Sequence, residues 1–197
     1  MSANDNAVNM PRGYHHGELR TALIAAGMAM LAERSADEVS LREIARRVGV
    51  SATAVYRHFP DKQALLAALA LEGLDALAER QRAATSAAGG GLAGFKAMGV
   101  AYVTFAIANP ALFRLAFVSA PHVDLLGDDL SQVGQAMRGL RETIGALMPA
   151  HLPEADRRVA ALRAWAVVHG LAMLVLDGQI ADDRALIERT ICESNLF

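Results

Sequence analysis

Between Leu41 and Phe59 the chain reads LREIARRVGVSATAVYRHF, and its polar residues fall on one side of an apolar pattern. Ile44, Ala45, Val48, Val55 and Phe59 recur at helical spacing and mark the inward side. Thr53, Ala54 and Arg57 lie away from Val55 and Phe59, and Ala52 stands at the exposed start of the same helix. Such a set recognises other molecules rather than making bonds. A guanidinium such as that of Arg57 pairs bidentately with a guanine edge, and the methyl groups of Ala52 and Thr53 suit thymine. Tyr56, His58 and Lys62 carry hydroxyl, imidazole and ammonium groups that match phosphate oxygens. Lys62 falls in the first turn of the following helix, where backbone N–H groups also point outward. Arg42 and Arg46 are one turn apart and share a face, whereas Arg47, four residues after Glu43, fits a surface ion pair.

The elements that position these groups follow from the same stretch. Two short helices are joined by a tight turn. Ser40 and Glu43 fit a capping box on the first. Gly49 supplies the positive φ that ends that helix, Val50 plugs the corner, and Ser51 caps the second helix. This is a helix-turn-helix, whose second helix fits a DNA major groove. Two such helices bury too little to stand alone. A helix over about 18–33 precedes them, with Leu19, Leu23, Ala26, Met30 and Leu31 inward. A long helix follows, capped by Asp61 after Pro60 and running to about Arg82, with Leu65, Leu66, Leu69, Leu74 and Leu77 inward.

Residues 83–94, AATSAAGGGLAG, lack the Gly-Lys-Ser/Thr of a phosphate-cradling loop and read as a mobile connector. Helices are expected over 95–108 and from Pro110, with Asn109 as its cap and Pro121 closing it. Further helices are expected over about 130–148 and 154–177, and from Asp182 or Asp183 to near Ser194. Residues 1–11 read as disordered, and 119–130 as a loop.

Composition sets the class. The chain has 197 residues, 53% of them apolar, with few strand formers, which predicts an all-α protein. The net charge of −2 hides an asymmetry: residues 12–62 carry eight Lys/Arg against six Asp/Glu, and the remainder eleven against fifteen. A single cysteine, Cys192, excludes a disulfide framework and zinc-finger spacing. The polar start MSANDNAVNMPRG does not read as a signal peptide. The apolar run 164–176 is too short for a membrane span, so a cytoplasmic protein with no membrane association is expected. Tyr14, His15 and His16 lie on an arm with no carboxylate cluster, and His122, His151 and His169 show no ligand spacing, so no metal is expected. No nucleophile pairs with a base, which argues against an enzyme and against any catalytic residue.

The amphipathic first helix, SLREIARRVGVSATAVYRHFPDKQALL and the order helix–turn–helix–long helix resemble the tetracycline-repressor (TetR) family of bacterial transcription regulators. The later Trp165-Ala-Val-Val-His169-Gly170 and Asn109-Pro-Ala-Leu-Phe-Arg114 are similar to one subgroup of that family's ligand domains. The resemblance implies a three-helix DNA-binding domain over 12–60 and a helical ligand-binding and dimerisation domain over 61–197, with 61–82 as connecting helix. It implies a homodimer on a palindromic double-stranded operator, released by a small-molecule effector, with no cofactor. It places Arg42 at a base or phosphate, and Tyr56, His58 and Lys62 at the phosphate backbone. The alternative is a helical small-molecule-binding module, or an activator, on the same fold.

Spacing and resemblance together assemble an expected effector pocket. Met98, Tyr102 and Phe105 share a stripe, Phe113 and Phe117 are four apart, and Trp165, His169 and Met173 are successive turns of one helix. Tyr102, Trp165 and His169 would be the polar handles of an otherwise apolar site. The same long helix is apolar on a second side, which with Leu186, Ile187 and Ile191 suits a four-helix subunit interface.

Overall fold

The structure is a computed structural model that describes residues 16–121, 124–127, 129, 131 and 133–193. Among these residues it is all-helical, as composition requires. Its helices are α1 (His16–Glu33), α2 (Leu41–Val48), α3 (Ala52–Tyr56), α4 (Lys62–Ala87), α5 (Gly91–Ala108), α6 (Pro110–Ser119), α7 (Gln135–Leu147), α8 (Glu154–Leu176) and α9 (Arg184–Cys192). A 3-10 turn over Ala36–Glu38 separates α1 from α2. Residues 1–11, Tyr14, His15 and His122 lie outside the described residues.

Local chemistry explains most boundaries. Gly49 ends α2 with φ of 79°, a region where a Cβ is costly. The Ser51 hydroxyl oxygen accepts from the Ala54 N–H at 3.2 Å, and an Asp61 carboxylate oxygen accepts from the Ala64 N–H at 2.8 Å. Asp183 accepts from Ala185 and Leu186 at the start of α9. Pro110 opens α6 at a position where its missing N–H costs nothing.

Several local expectations are corrected. The Ser40–Glu43 capping box does not form, for Ser40 makes no side-chain cap. Its chemistry appears one turn earlier, where the Glu38 carboxylate accepts from both the N–H and the hydroxyl of Ser35. Glu43 is taken instead by arginines, as described below. The glycine-rich stretch is not a loose connector: α4 runs on to Ala87, and α5 begins at Gly91. Gly89, Gly90 and Gly91, all with positive φ, confine the reversal to a tight corner. Asn109 does not cap α6 with its side chain, which donates back to the Phe105 carbonyl of α5 at 3.0 Å. α7 starts at Gln135, later than expected.

One apolar core runs from Leu23 in α1 through Ile44, Val55 and Phe59, along α4, and on to Ile191 in α9. A smaller cluster gathers Phe95, Ile144, Ala160, Ala161 and Ala164 where α5, α7 and α8 meet. α4 joins these regions. At about 1.5 Å per residue its 26 residues are the longest rod in the fold. It packs closely at two glycines: a Cβ on Gly27 of α1 would stand 2.9 Å from Leu69, and one on Gly73 of α4 would stand 2.8 Å from Leu112 of α6. Against the expectation from the run 164–176 alone, α8 as well as α5 is long and apolar enough to cross a bilayer, and here the two pack against each other.

Candidate functional site

The exposed face of the helix-turn-helix is built on a buried hinge. Val55 and Phe59 are buried with Ile44 of α2, and the Phe59 N–H returns to the Val55 carbonyl at 2.9 Å. Arg57 keeps a helical conformation just past α3. With that side turned inward, Ala52, Thr53, Tyr56 and Arg57 face solvent. Ala54, His58 and Lys62 are half-buried beside them. Arg42 and Arg46 are exposed on α2. Of the expected DNA-facing residues, Arg42, Ala52, Thr53, Tyr56 and Arg57 are thus accessible, and Ala54, His58 and Lys62 partly so.

Lys62 is oriented from an unexpected quarter: its ammonium donates to the Asp37 carbonyl in the 3-10 turn at 2.5 Å. This contact ties the start of α4 to the link between α1 and α2.

Arginines brace the body from behind. Arg47 donates to Glu33 of α1 at 2.8 Å and lies 3.6 Å from Glu43. Arg34 donates to Glu43 at 3.1 Å, and Arg46 lies 3.8 Å from it. The Arg47 guanidinium holds the Glu33 carboxyl below its ordinary pKa. Arg20 sits over the Phe59 ring, 5.5 Å from its centroid. Arg47 thus belongs to a brace joining two helices, of which the expected pair with Glu43 is one part.

In the other half, α4 to α9 surround a cavity of about 520 Å³. Leu71, Leu74 and Leu77 of α4 form one wall, and Phe95 and Met98 of α5 another. Ala116 and Phe117 of α6, Met137 and Leu140 of α7, and Trp165 and Val168 of α8 complete most of it. Of the eight expected pocket residues, Met98, Tyr102, Phe117 and Trp165 line the cavity, whereas Phe105, Phe113, His169 and Met173 do not. Phe113 is packed edge-on against Tyr102, with ring centroids 5.5 Å apart.

The three expected polar handles are bonded to one another. The Trp165 indole N–H donates to the Tyr102 oxygen at 3.2 Å. The Tyr102 hydroxyl lies 2.9 Å from His169 Nδ1. Burial pushes the Tyr102 pKa far up and the His169 pKa down, so the phenol keeps its proton and the imidazole is neutral. In this pair the phenol O–H donates to Nδ1 when the imidazole carries its proton on Nε2, and the phenol oxygen accepts when the proton is on Nδ1.

Gln81 was not expected here, yet it lines the cavity at 7% exposure. Its Nε2 reaches the Met98 carbonyl over 3.5 Å, and its Oε1 is buried with no hydrogen-bond partner. A signal was present: Leu69, Gly73, Leu77 and Gln81 recur every four residues, and all four are buried. Among the described residues no group of three or more His, Cys, Asp or Glu side chains is placed to hold a metal.

Comparison with known proteins follows the same division. Residues 23–69 match the family described as bacterial regulatory proteins, tetR family. Residues 95–193 match the one described as tetracyclin repressor-like, C-terminal domain. Among solved structures, a Rhodococcus sp. RHA1 protein of unknown function is 31% identical, with 93% of this chain and 96% of that chain covered and a TM-score of 0.74. A tetR-family transcriptional regulator from Streptomyces coelicolor is 25% identical, with 91% and 79% covered and a TM-score of 0.60. A TetR variant from Acinetobacter baumannii AYE, solved in complex with minocycline, shares the fold at 19% identity, with 92% of each chain covered and a TM-score of 0.60.

Proposed function

Because the chain belongs to the tetracycline-repressor family, and so is a ligand-responsive DNA-binding transcription regulator, we propose that it represses by binding a palindromic operator as a homodimer. Residues 12–60 form the reading domain in this proposal, and 61–197 the effector and dimerisation domain, with 61–82 connecting them. The observation that carries the reading is α3: a short helix with a buried Val55 side and an opposite face presenting Thr53, Tyr56 and Arg57. Packing alone does not call for those side chains there.

Arg57 and Thr53 contact base edges, with Ala52 and Ala54 supplying small apolar surface to thymine methyl groups. Tyr56, His58, Lys62 and Arg42 hold the phosphate backbone and set the register of the helix. The effector enters the cavity bounded by Met98, Tyr102, Phe117 and Trp165, while Phe105, Phe113, His169 and Met173 support its walls. Exposed apolar side chains at Leu162, Leu174 and Leu186 on α8 and α9 support subunit pairing through that face. A cytoplasmic location and a non-enzymatic role fit family membership.

Sequencing the duplexes that the purified protein retains from a random pool tests the proposal. The expected result is an inverted repeat with half-site centres about one helical turn, roughly 34–36 Å, apart. Its affinity should fall steeply with salt, as released counterions require. A monomer indifferent to all duplexes at low ionic strength would overturn the proposal.

A further inference from the structure

We infer that the effector is an uncharged, mostly apolar molecule bearing a hydrogen-bond donor, and that Gln81 reads that donor. The inference rests on the reading of the cavity as the effector site. Two observations carry it.

The first concerns charge. The cavity walls are leucines, aromatic rings, methionines and small residues, and no Asp, Glu, Lys, Arg or His side chain lines them among the described residues. An ionised guest would shed its water there and meet no counter-charge among these residues, which is costly against apolar walls. A volume of about 520 Å³ falls in the range of sites for drug-sized molecules, so the guest is large enough for its apolar bulk to drive binding.

The second concerns the polar groups that remain. Tyr102 and Trp165 also line the cavity, but each is already engaged. The Tyr102 oxygen accepts from Trp165 and is hydrogen-bonded to His169 Nδ1. Gln81 differs, because its Oε1 is buried without a partner and its Nε2 is held only by a contact 3.5 Å long. Rotating this terminal amide toward the cavity sacrifices little. A donor on the guest gives the orphaned oxygen the bond it lacks, which folding alone leaves unmade.

A matched probe series tests both parts on the full-length protein. p-Octylphenol is neutral with a donor, and p-octylanisole is neutral without one. p-Octylbenzoate is an anion, and p-octylphenyltrimethylammonium a cation. Trp165 is the only tryptophan in the chain and lines the cavity, so quenching of its fluorescence reports occupancy. The phenol should bind about tenfold more tightly than the anisole, and both ions should bind at least about a hundredfold more weakly than the phenol. The near-isosteric Gln81→Met should bring phenol and anisole to equal affinity.

Ion binding within about tenfold of the phenol would overturn the inference about charge. A phenol preference that survives Gln81→Met would overturn the role of Gln81. An equal affinity of phenol and anisole in the wild type would do the same without any variant. Failure of all four probes to quench Trp165 would strike at the cavity as effector site, which is a distinguishable result.

Discussion

Glu43 and Gln81 show how differently the two ends of this molecule treat a polar group beside an apolar core. Glu43 sits at the rim of the helix-turn-helix, half-buried, with Arg34, Arg46 and Arg47 around its carboxylate. Gln81 sits among leucines, with its carbonyl oxygen unpaired. At the first end, polar bonds lie outside and the interior is closed by Ile44, Val55 and Phe59. At the second, Tyr102, Trp165 and His169 bond to one another within the wall of an open space. A body that must present one fixed face gains from being filled and braced. A body that must take up a guest has to leave room unfilled, and room lined with unused bonding capacity is selective.

The largest expected effects test whether these ends are separate at all. Phe113→Ala should cost about 3–5 kcal/mol and Ile44→Ala about 2–5 kcal/mol, from lost burial and the voids left behind. Both side chains are essentially inaccessible to solvent, and both belong to the core that α4 threads. Urea unfolding followed by circular dichroism should show one transition shifted by either change. Two transitions, each answering to only one substitution, would separate the ends.

Next in size is Arg57→Ala, which should relax discrimination at one base pair by roughly 1–3 kcal/mol. Probe quenching of Trp165 should not change. Gel-shift titrations against single-base operator variants, paired with fluorescence titrations, measure the two sides of that claim.

The pH dependence is smaller. Burial lowers the His169 pKa below its ordinary 6.5, so near that value the unfolded chain binds more protons than the folded one. Stability from neutral His169 is therefore complete above about pH 6.5 and is lost as the pH falls below it, toward the depressed folded value. The melting temperature of the wild type should drop on acidification from about pH 7 to 5 more than that of His169→Gln. Parallel profiles would remove His169 as the cause.

Smallest of all is Glu33→Gln at the outer brace. Its carboxyl is exposed, so the melting temperature should stay indistinguishable from wild type despite the short Arg47 contact. A clear loss in calorimetry would show that the surface brace carries more of the fold than its exposure suggests.

Legibility followed the range of the interactions. The positive φ of Gly49, the caps at Ser51 and Asp61 and the inward turn of Val55 and Phe59 all depend on neighbours within one turn, and they could be read directly. Two serines, Ser35 and Ser40, each precede a glutamate by three positions, and only the arrival of Arg34 and Arg47 at Glu43 separates them. The glycine run was misread because its flanking alanines and threonine prolong α4, where Thr85 bonds back to the Gln81 carbonyl. Spacing found one stripe holding Tyr102 and another holding Trp165 and His169, but whether a side chain meets the cavity or backs onto it depends on how six helices cross. Gln81 escaped for the same reason: in the local text Glu-Arg-Gln-Arg it reads as solvated surface, and only the helices packed on α4, with Met98 of α5 among their contacts, make it interior.

α6 belongs to both ends at once. Its Ala116 and Phe117 wall the cavity, its Leu112 presses on Gly73, and the helix touches α1 and the 3-10 turn. That turn supplies the carbonyl which seats Lys62. Midway along the helix, Arg114 donates to the Leu176 carbonyl at 3.1 Å and pairs with Asp177, tethering α6 to the end of α8. A ten-residue rod, about 15 Å long, is too short and too stiff to absorb a push by bending. As one rod it links the cavity wall at Ala116 and Phe117 to the turn whose Asp37 carbonyl accepts from Lys62.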